Sequence, residues 1–174
     1  MTYLKEDQLR NIAKFRGNSR FLESTKSVAK VSIFLSHSHR DREIVEGFIT
    51  LLANSSQITI YVDWQDGDMP RITNRDTAQR IKLKIGELNL FMILATKNAM
   101  NSKWVPWEIG VADSKKPLNR ILVVPVADPS GHFYGNEYMQ LYQRIEVSSS
   151  GDLGVFEPNA ISGYTVKEWL KSHL

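Results

Sequence analysis

Three groupings of residues in this 174-residue chain carry side chains able to do chemistry. The first is His37-Ser38-His39-Arg40-Asp41, a His-x-His-x-Asp pattern that can supply metal ligands from a loop between a strand and a helix. A hydrolytic metal centre needs further ligands, and the remaining histidines, His132 and His173, fall in poorly patterned stretches. The favoured reading is that no metal is held. Ser38 or His39 caps the following helix, and Asp41 occupies its first turn, where the helix dipole favours negative charge. The second grouping, Ser36, His37 and Asp41, has the residue types of a hydrolytic triad. Ser36 lacks a Gly-x-Ser-x-Gly elbow, and adjacent residues such as Ser36 and His37 leave a strand on opposite faces, so no triad is expected. The third is Asn101-Ser-Lys-Trp-Val-Pro-Trp-Glu-Ile-Gly110. Ser102 can cap a helix there, and Pro106 is tolerated in a first turn whose N–H groups lack intrahelical acceptors. Trp104 and Glu108, four apart, then share a face, while Trp107 and Val111 turn toward the core. Taken alone, such a glutamate is most often solvated or salt-bridged. A carboxylate in an early turn beside an aromatic ring is also what is needed to hold a flat ring next to a cationic centre.

The elements that must position these groups follow from hydrophobic periodicity. Apolar residues at Leu4, Leu9, Ile12 and Phe15 predict a short amphipathic helix, joined by a mixed linker to a strand over Ala29 to Ser36. A helix is expected over Asp41 to Ala53, a strand over Ile58 to Asp63 and a polar loop over Trp64 to Ile72. Next comes a helix over Asn74 to Gly86, with Thr73 and Asp76 at capping-box spacing. Leu88 to Thr96 and Arg120 to Ala127 are almost wholly apolar, as strands covered on both faces are. A helix over Ser102 to Ser114 separates them. Beyond Asp128 the pattern suggests a helix over Gly135 to Arg144, an edge strand over Ile145 to Val147 and a final helix over Tyr164 to Leu174. Strands alternating with helices imply right-handed crossovers. The expected fold is α/β, a flavodoxin-like three-layer arrangement with a four- to five-stranded parallel sheet flanked by helices. In such a fold ligands bind outside the carboxyl ends of the strands. That rule selects Ser36 to His39, Asp63 to Asp66 and Ala95 to Asn98.

Composition narrows the function classes. Hydrophobic residues make up 42% of the chain, which excludes wholesale disorder. The longest apolar run, Ile121 to Ala127, has seven residues and includes Pro125, far short of the roughly 20 that a membrane-spanning helix needs. The acidic N-terminal stretch does not resemble a secretory signal. There is no cysteine, hence no disulfide, thiolate metal site or cysteine nucleophile. A soluble cytoplasmic protein is expected. The net charge of +3 is uneven: residues 1–30 hold seven Lys/Arg against three Asp/Glu, and the rest hold fifteen against sixteen. The excess belongs to a basic arm and not to the domain body, so no nucleic-acid partner is expected. No dinucleotide fingerprint or P-loop occurs, and the first strand ends in Ser-His where a phospho-receiver would carry adjacent acids.

In order along the chain, VSIFLSHSHRD, IYVDWQDGDMP, TAQRIKLKI, FMILAT and SKWVPWEIGVAD resemble a Toll/interleukin-1 receptor (TIR) domain of the bacterial type. The resemblance covers about Lys30 to Ala127, setting a basic helical arm and linker (1–28) apart from a TIR domain (29–174). It implies cleavage of the nicotinamide–ribose bond of NAD, giving nicotinamide and ADP-ribose or a cyclic isomer. It further implies a role in bacterial anti-phage signalling. NAD is then the substrate, and no cofactor is called for. The family's catalytic glutamate lies four residues after a tryptophan early in the helix following the third strand, which makes Glu108 the catalytic residue and places Trp104 against the substrate. Ser36 and His37 after the first strand, with Asp63, Trp64 and Asp68 in and beside the second-strand loop, would line the pocket. Implied partners are NAD, other copies of the chain through TIR–TIR contacts, and a downstream or activating protein. Some family members are non-catalytic scaffolds, and that is the alternative function. The chain departs from the animal signalling members in lacking Pro-Gly in the loop Asp66 to Arg71, and it carries Val105 where related enzymes often have cysteine.

Overall fold

A computed structural model of the protein describes residues 2–15, 31–53, 58–70 and 73–173. The expected linker beyond residue 15, residues 29 and 30 of the first predicted strand, and loop residues 71 and 72 lie outside them. Along the chain the elements are β1 (Leu4–Lys5), α1 (Glu6–Phe15), β2 (Val31–Ser36), α2 (Arg42–Ala53), β3 (Ile58–Tyr61), α3 (Arg75–Glu87) and β4 (Leu90–Ala95). There follow α4 (Lys97–Met100), α5 (Val105–Lys115), β5 (Ile121–Ala127), β6 (Gln143–Val147), β7 (Leu153–Phe156), β8 (Gly163–Thr165) and α6 (Val166–His173).

Among the described residues the sheet runs β3-β2-β4-β5-β6-β7-β8, with β1 pairing β5 off that path. The first five strands are parallel, and β7 and β8 add antiparallel edges. The expected flavodoxin-like α/β arrangement is therefore present, extended beyond the predicted four or five strands.

Alternation along each strand builds two cores. In β2, Ile33 and Leu35 face a cluster with Phe48 and Leu52 of α2, Leu9 of α1 and Trp169 of α6. Phe34 points the opposite way, toward Ile81 and Ile85 of α3 and Ile109 of α5. β4 is buried at all six positions and β5 at all seven, because helices cover both faces. Removing each large aliphatic side chain from water contributes about 1.5–3 kcal/mol, which outweighs the weak local propensity of these short strands.

The N-terminal segment packs on this body. Leu4 and Lys5 pair with Val126 and Ala127, and Leu9 is fully buried against α2. Gly47 permits that approach: a Cβ there would lie 1.9 Å from the backbone oxygen of Leu9.

Several local expectations need correction. The box at the start of α3 is built by Asn74 and Thr77, not by Thr73 and Asp76. Asn74 stays extended, and its side chain accepts from the N–H groups of Asp76 (2.9 Å) and Thr77 (3.0 Å). The helix expected over Gly135 to Arg144 is only a 3-10 turn, Glu137–Leu141. Gln143 is already drawn into register with Leu122, so the chain must be extended there. The strand after it is no edge, since β6 lies between β5 and β7.

The chain leaves β2 toward β3 on one side and returns to β4 on the other. The carboxyl ends of β2 and β4 therefore diverge and open a crevice between their following loops.

Candidate functional site

Buried hydrogen bonds hold that crevice in shape. Asp41, fully buried, accepts hydrogen bonds from the Thr96 hydroxyl and from Asn98 Nδ2 (2.6 Å), joining the loop after β2 to the one after β4. Ser38 accepts from the N–H of Arg40 and opens a 3-10 turn, His39–Asp41, that leads into α2. Of the two expected capping residues it is thus Ser38 that caps, and Asp41 is spent as an internal clamp.

The opposite wall is the start of α5. Ser102 accepts from the N–H groups of Trp104 (3.1 Å) and Val105 (3.4 Å), and Pro106 sits in the first turn. The N–H of Glu108 donates to the carbonyl of Trp104 (2.9 Å), so the two side chains lie on one side of the helix. Trp104 is half-buried and meets Trp107 edge-on, with ring centroids 5.2 Å apart.

Glu108 is 6% exposed. Strand parity explains its partner: Ser36 follows Phe34 on the face that α5 covers, and its hydroxyl donates to Glu108 Oε2 at 2.5 Å. Burial pushes the Glu108 carboxyl up to about 7, with the negative charge of Asp63 adding to the rise. The Ser36 hydrogen bond and the charge of His39 oppose it. A carboxyl group poised near neutrality in a cleft is a functional-site signature.

The third wall comes from the ends of β2 and β3. Asp63 Oδ2 lies 2.7 Å from His39 Nε2, and Asp63 Oδ1 lies 3.4 Å from His37 Nε2. Burial lowers the pKa of His37, whereas the hydrogen bond to Asp63 raises that of His39. Burial by itself would lift Asp63, but the hydrogen bond from His39 and the electrostatic influence of the adjacent His37 and His39 rings hold it below the usual carboxylate range.

These walls enclose a cavity of about 400 Å³, within the range of roughly 300–1,000 Å³ typical of small-molecule sites. His37, Asp63, Trp104 and Glu108 line it. Ser36 lies beneath, bonded to Glu108, and Trp64 backs the His37 ring edge-on at 4.4 Å. Asp68 stands apart from the lining. It pairs with Arg80 (2.9 Å), which also grips Asp66. That grip, helped by the Tyr61 hydroxyl, holds the Asp66 carboxyl down at about 2. The strand ends chosen from sequence include His39 and Asn98, whereas Arg40 and Asn101, which also line the cavity, are not singled out as site residues by sequence. The strand-end rule pointed to their loops, but nothing in the types or spacing of these residues distinguished them.

A family model described as the TIR domain matches residues 33–150. The probable 3' cyclic ADP-D-ribose synthase ThsB' of Bacillus cereus (strain MSX-D12) is 30% identical over 115 residues, which is 65% of this chain and 59% of that protein. The match thus spans less than two thirds of that relative's length.

Proposed function

The chain belongs to the TIR domain family, and on that premise we propose that it cleaves the bond between nicotinamide and ribose in NAD. The observation that carries the reading is a buried glutamate, Glu108, facing a cavity beside Trp104 at the crossover of a flavodoxin-like sheet.

One carboxylate is enough for this reaction. Ordinary glycosidases use two because the departing oxygen needs a proton. The nicotinamide of NAD is already a pyridinium and departs neutral without one. What remains is stabilisation of an oxocarbenium-like ribose, which a fixed negative charge in a water-poor site provides. Glu108 supplies that charge when ionised. The Ser36 hydroxyl favours the ionised form and fixes which oxygen faces the cavity. Trp104 offers a flat apolar wall for the substrate, and His37 and Asp63 line the far side, backed by Trp64. Asp68 would act on the pocket through the loop that Arg80 holds. NAD is the substrate, so the reaction needs no redox cofactor.

The relative's name favours a cyclised product, in which a nucleophile on the adenosine half, not water, captures the ribosyl carbon. Signalling in bacterial anti-phage defence, a cytoplasmic setting where NAD is plentiful, and assembly through TIR–TIR contacts belong to the same reading. Among the described residues no helix is long and apolar enough to cross a membrane.

The test is chromatography of NAD incubated with the purified chain, both dilute and concentrated. Nicotinamide release with an adenine-containing product other than NAD is expected, and that product's retention separates linear from cyclic ADP-ribose. Neither release nor NAD binding at any concentration would leave the scaffold role in its place.

A further inference from the structure

Two buried polar atoms face each other in the third wall of the cavity. The Nδ1 of His37 lies 2.8 Å from the carbonyl oxygen of Leu35. A carbonyl can only accept, so Nδ1 carries a ring hydrogen and Nε2 is the nitrogen left to face the cavity wall. Nε2 faces Asp63 Oδ1, 3.4 Å away, and neither atom has a hydrogen-bond partner. The His37 side chain is 3% exposed and that of Asp63 17%, so bulk water does not screen the opposition. A cation held between the two atoms would satisfy both.

We propose that His37 Nε2, His39 Nε2 and a carboxylate oxygen of Asp63 form a binding site for a transition-metal dication of the zinc class. Their ligand atoms all lie within 4.8 Å of one another. In a tetrahedral zinc site with bonds of about 2.0–2.1 Å, neighbouring ligand atoms are about 3.3–3.4 Å apart, which is the separation found between His37 and Asp63. The closer His39 contact of 2.7 Å opens by a small swing of a ring that is 74% exposed, with its hydrogen moving to Nδ1. The hydrogen bond from His37 Nδ1 to a backbone carbonyl is the usual outer support of a metal-bound imidazole, because it fixes the tautomer and aims the free nitrogen. Trp64, edge-on at 4.4 Å, holds the ring in that orientation. Imidazole and carboxylate donors without a thiolate suit zinc, cobalt(II) or nickel(II) better than calcium or magnesium. Three protein ligands leave the remaining coordination to water or to an anion in the cavity, as in an open site and not a closed structural one.

The His-x-His pattern of the loop thus supplies two ligands. The third comes from the end of the next strand, because Asp41 is engaged by Thr96 and Asn98. The inference does not depend on NAD cleavage and is read without it.

Full-length protein stripped with a chelator is titrated with zinc by calorimetry and with cobalt(II) by visible absorption. Binding of about one ion per chain with a Kd of about 10 μM or tighter is expected, together with the intense visible band of a low-coordinate cobalt site and a rise in melting temperature. His39→Ala, at an exposed ring, and Asp63→Asn should each weaken binding by at least about 10- to 100-fold. Circular dichroism checks that both variants are folded. A His132→Ala/His173→Ala variant should bind as the parent does. Zinc binding weaker than about 1 mM would overturn the proposal. So would binding that survives both ligand substitutions, or that disappears only with His132 and His173.

Discussion

Replacing Glu108 by glutamine should stabilise the protein, and by an amount that depends on pH. The Glu108 carboxyl is raised from 4.5 to about 7 chiefly by burial. A carboxyl whose pKa is raised on folding contributes its full stability below the unfolded value. That contribution is lost as the pH climbs through the folded value, here about 7. At about 1.4 kcal/mol per unit, the ionised glutamate costs up to about 3 kcal/mol above neutrality. Glutamine keeps an amide oxygen to accept the Ser36 hydroxyl and never ionises. The two proteins should therefore melt within about 1 °C of each other at about pH 4.5, and the variant should melt about 6–12 °C higher at about pH 8. Differential scanning calorimetry of both proteins across that range reads the difference directly, because every other titrating group is common to the pair. A melting difference that stays constant with pH, or that favours the wild type in alkaline buffer, would refute the claim that the buried carboxylate is strained by desolvation. A gain in stability together with loss of activity would mark Glu108 as a residue held for chemistry at the expense of the fold.

Other consequences can be checked separately. Because the ionised carboxylate is the working form, kcat/KM for NAD cleavage should rise with pH through about 7. Ser36→Ala removes the hydrogen bond favouring that form, so a pH–rate profile should show the rise moved up by about one pH unit. Asp41→Ala strands the Thr96 and Asn98 donors in a buried site and should lower stability by about 2–4 kcal/mol, measured by urea unfolding. Gly47→Ala forces α1 away from α2, since the new methyl would meet the Leu9 backbone. About 1–3 kcal/mol should be lost, and proteolytic cleavage near residues 6–15 should become faster. The indole N–H of Trp169 has no hydrogen-bond partner, so Trp169→Phe should cost less than about 2 kcal/mol whereas Trp169→Ala should cost about 3–5.

The parts of the fold that could be read from sequence are those where one physical rule dominates. β4 and β5 are recognisable because strands covered on both faces must be apolar throughout, as FMILA and ILVVPVA are. α2 shows itself by helical spacing. β7 and β8 are short, each holds a glycine, and β8 is exposed throughout, so their pairing with β6 leaves little periodic trace. The turn at Glu137–Leu141 reads as a helix in the sequence because apolar residues alone do not report the strand register that stretches Gln143.

At the site, the Trp104–Glu108 spacing and the strand parity of Ser36 were legible, since each depends on local geometry. Contacts between distant segments were not. Nothing in the sequence connects Asp41 to Thr96, or His37 to Asp63 across the loops of neighbouring strands. Those pairings arise only when the parallel register sets Phe34 beside Tyr61 and Ser36 beside Ile93, which brings the strand ends together.

The most direct measurement is the rate of nicotinamide release from NAD by the wild type and by Glu108→Gln, at matched concentration and with equal helical content by circular dichroism. The account predicts release by the wild type and a loss of at least about 10²- to 10³-fold in the variant, the scale of removing one fixed charge that stabilises a transition state. Release by Glu108→Gln at the wild-type rate would contradict it.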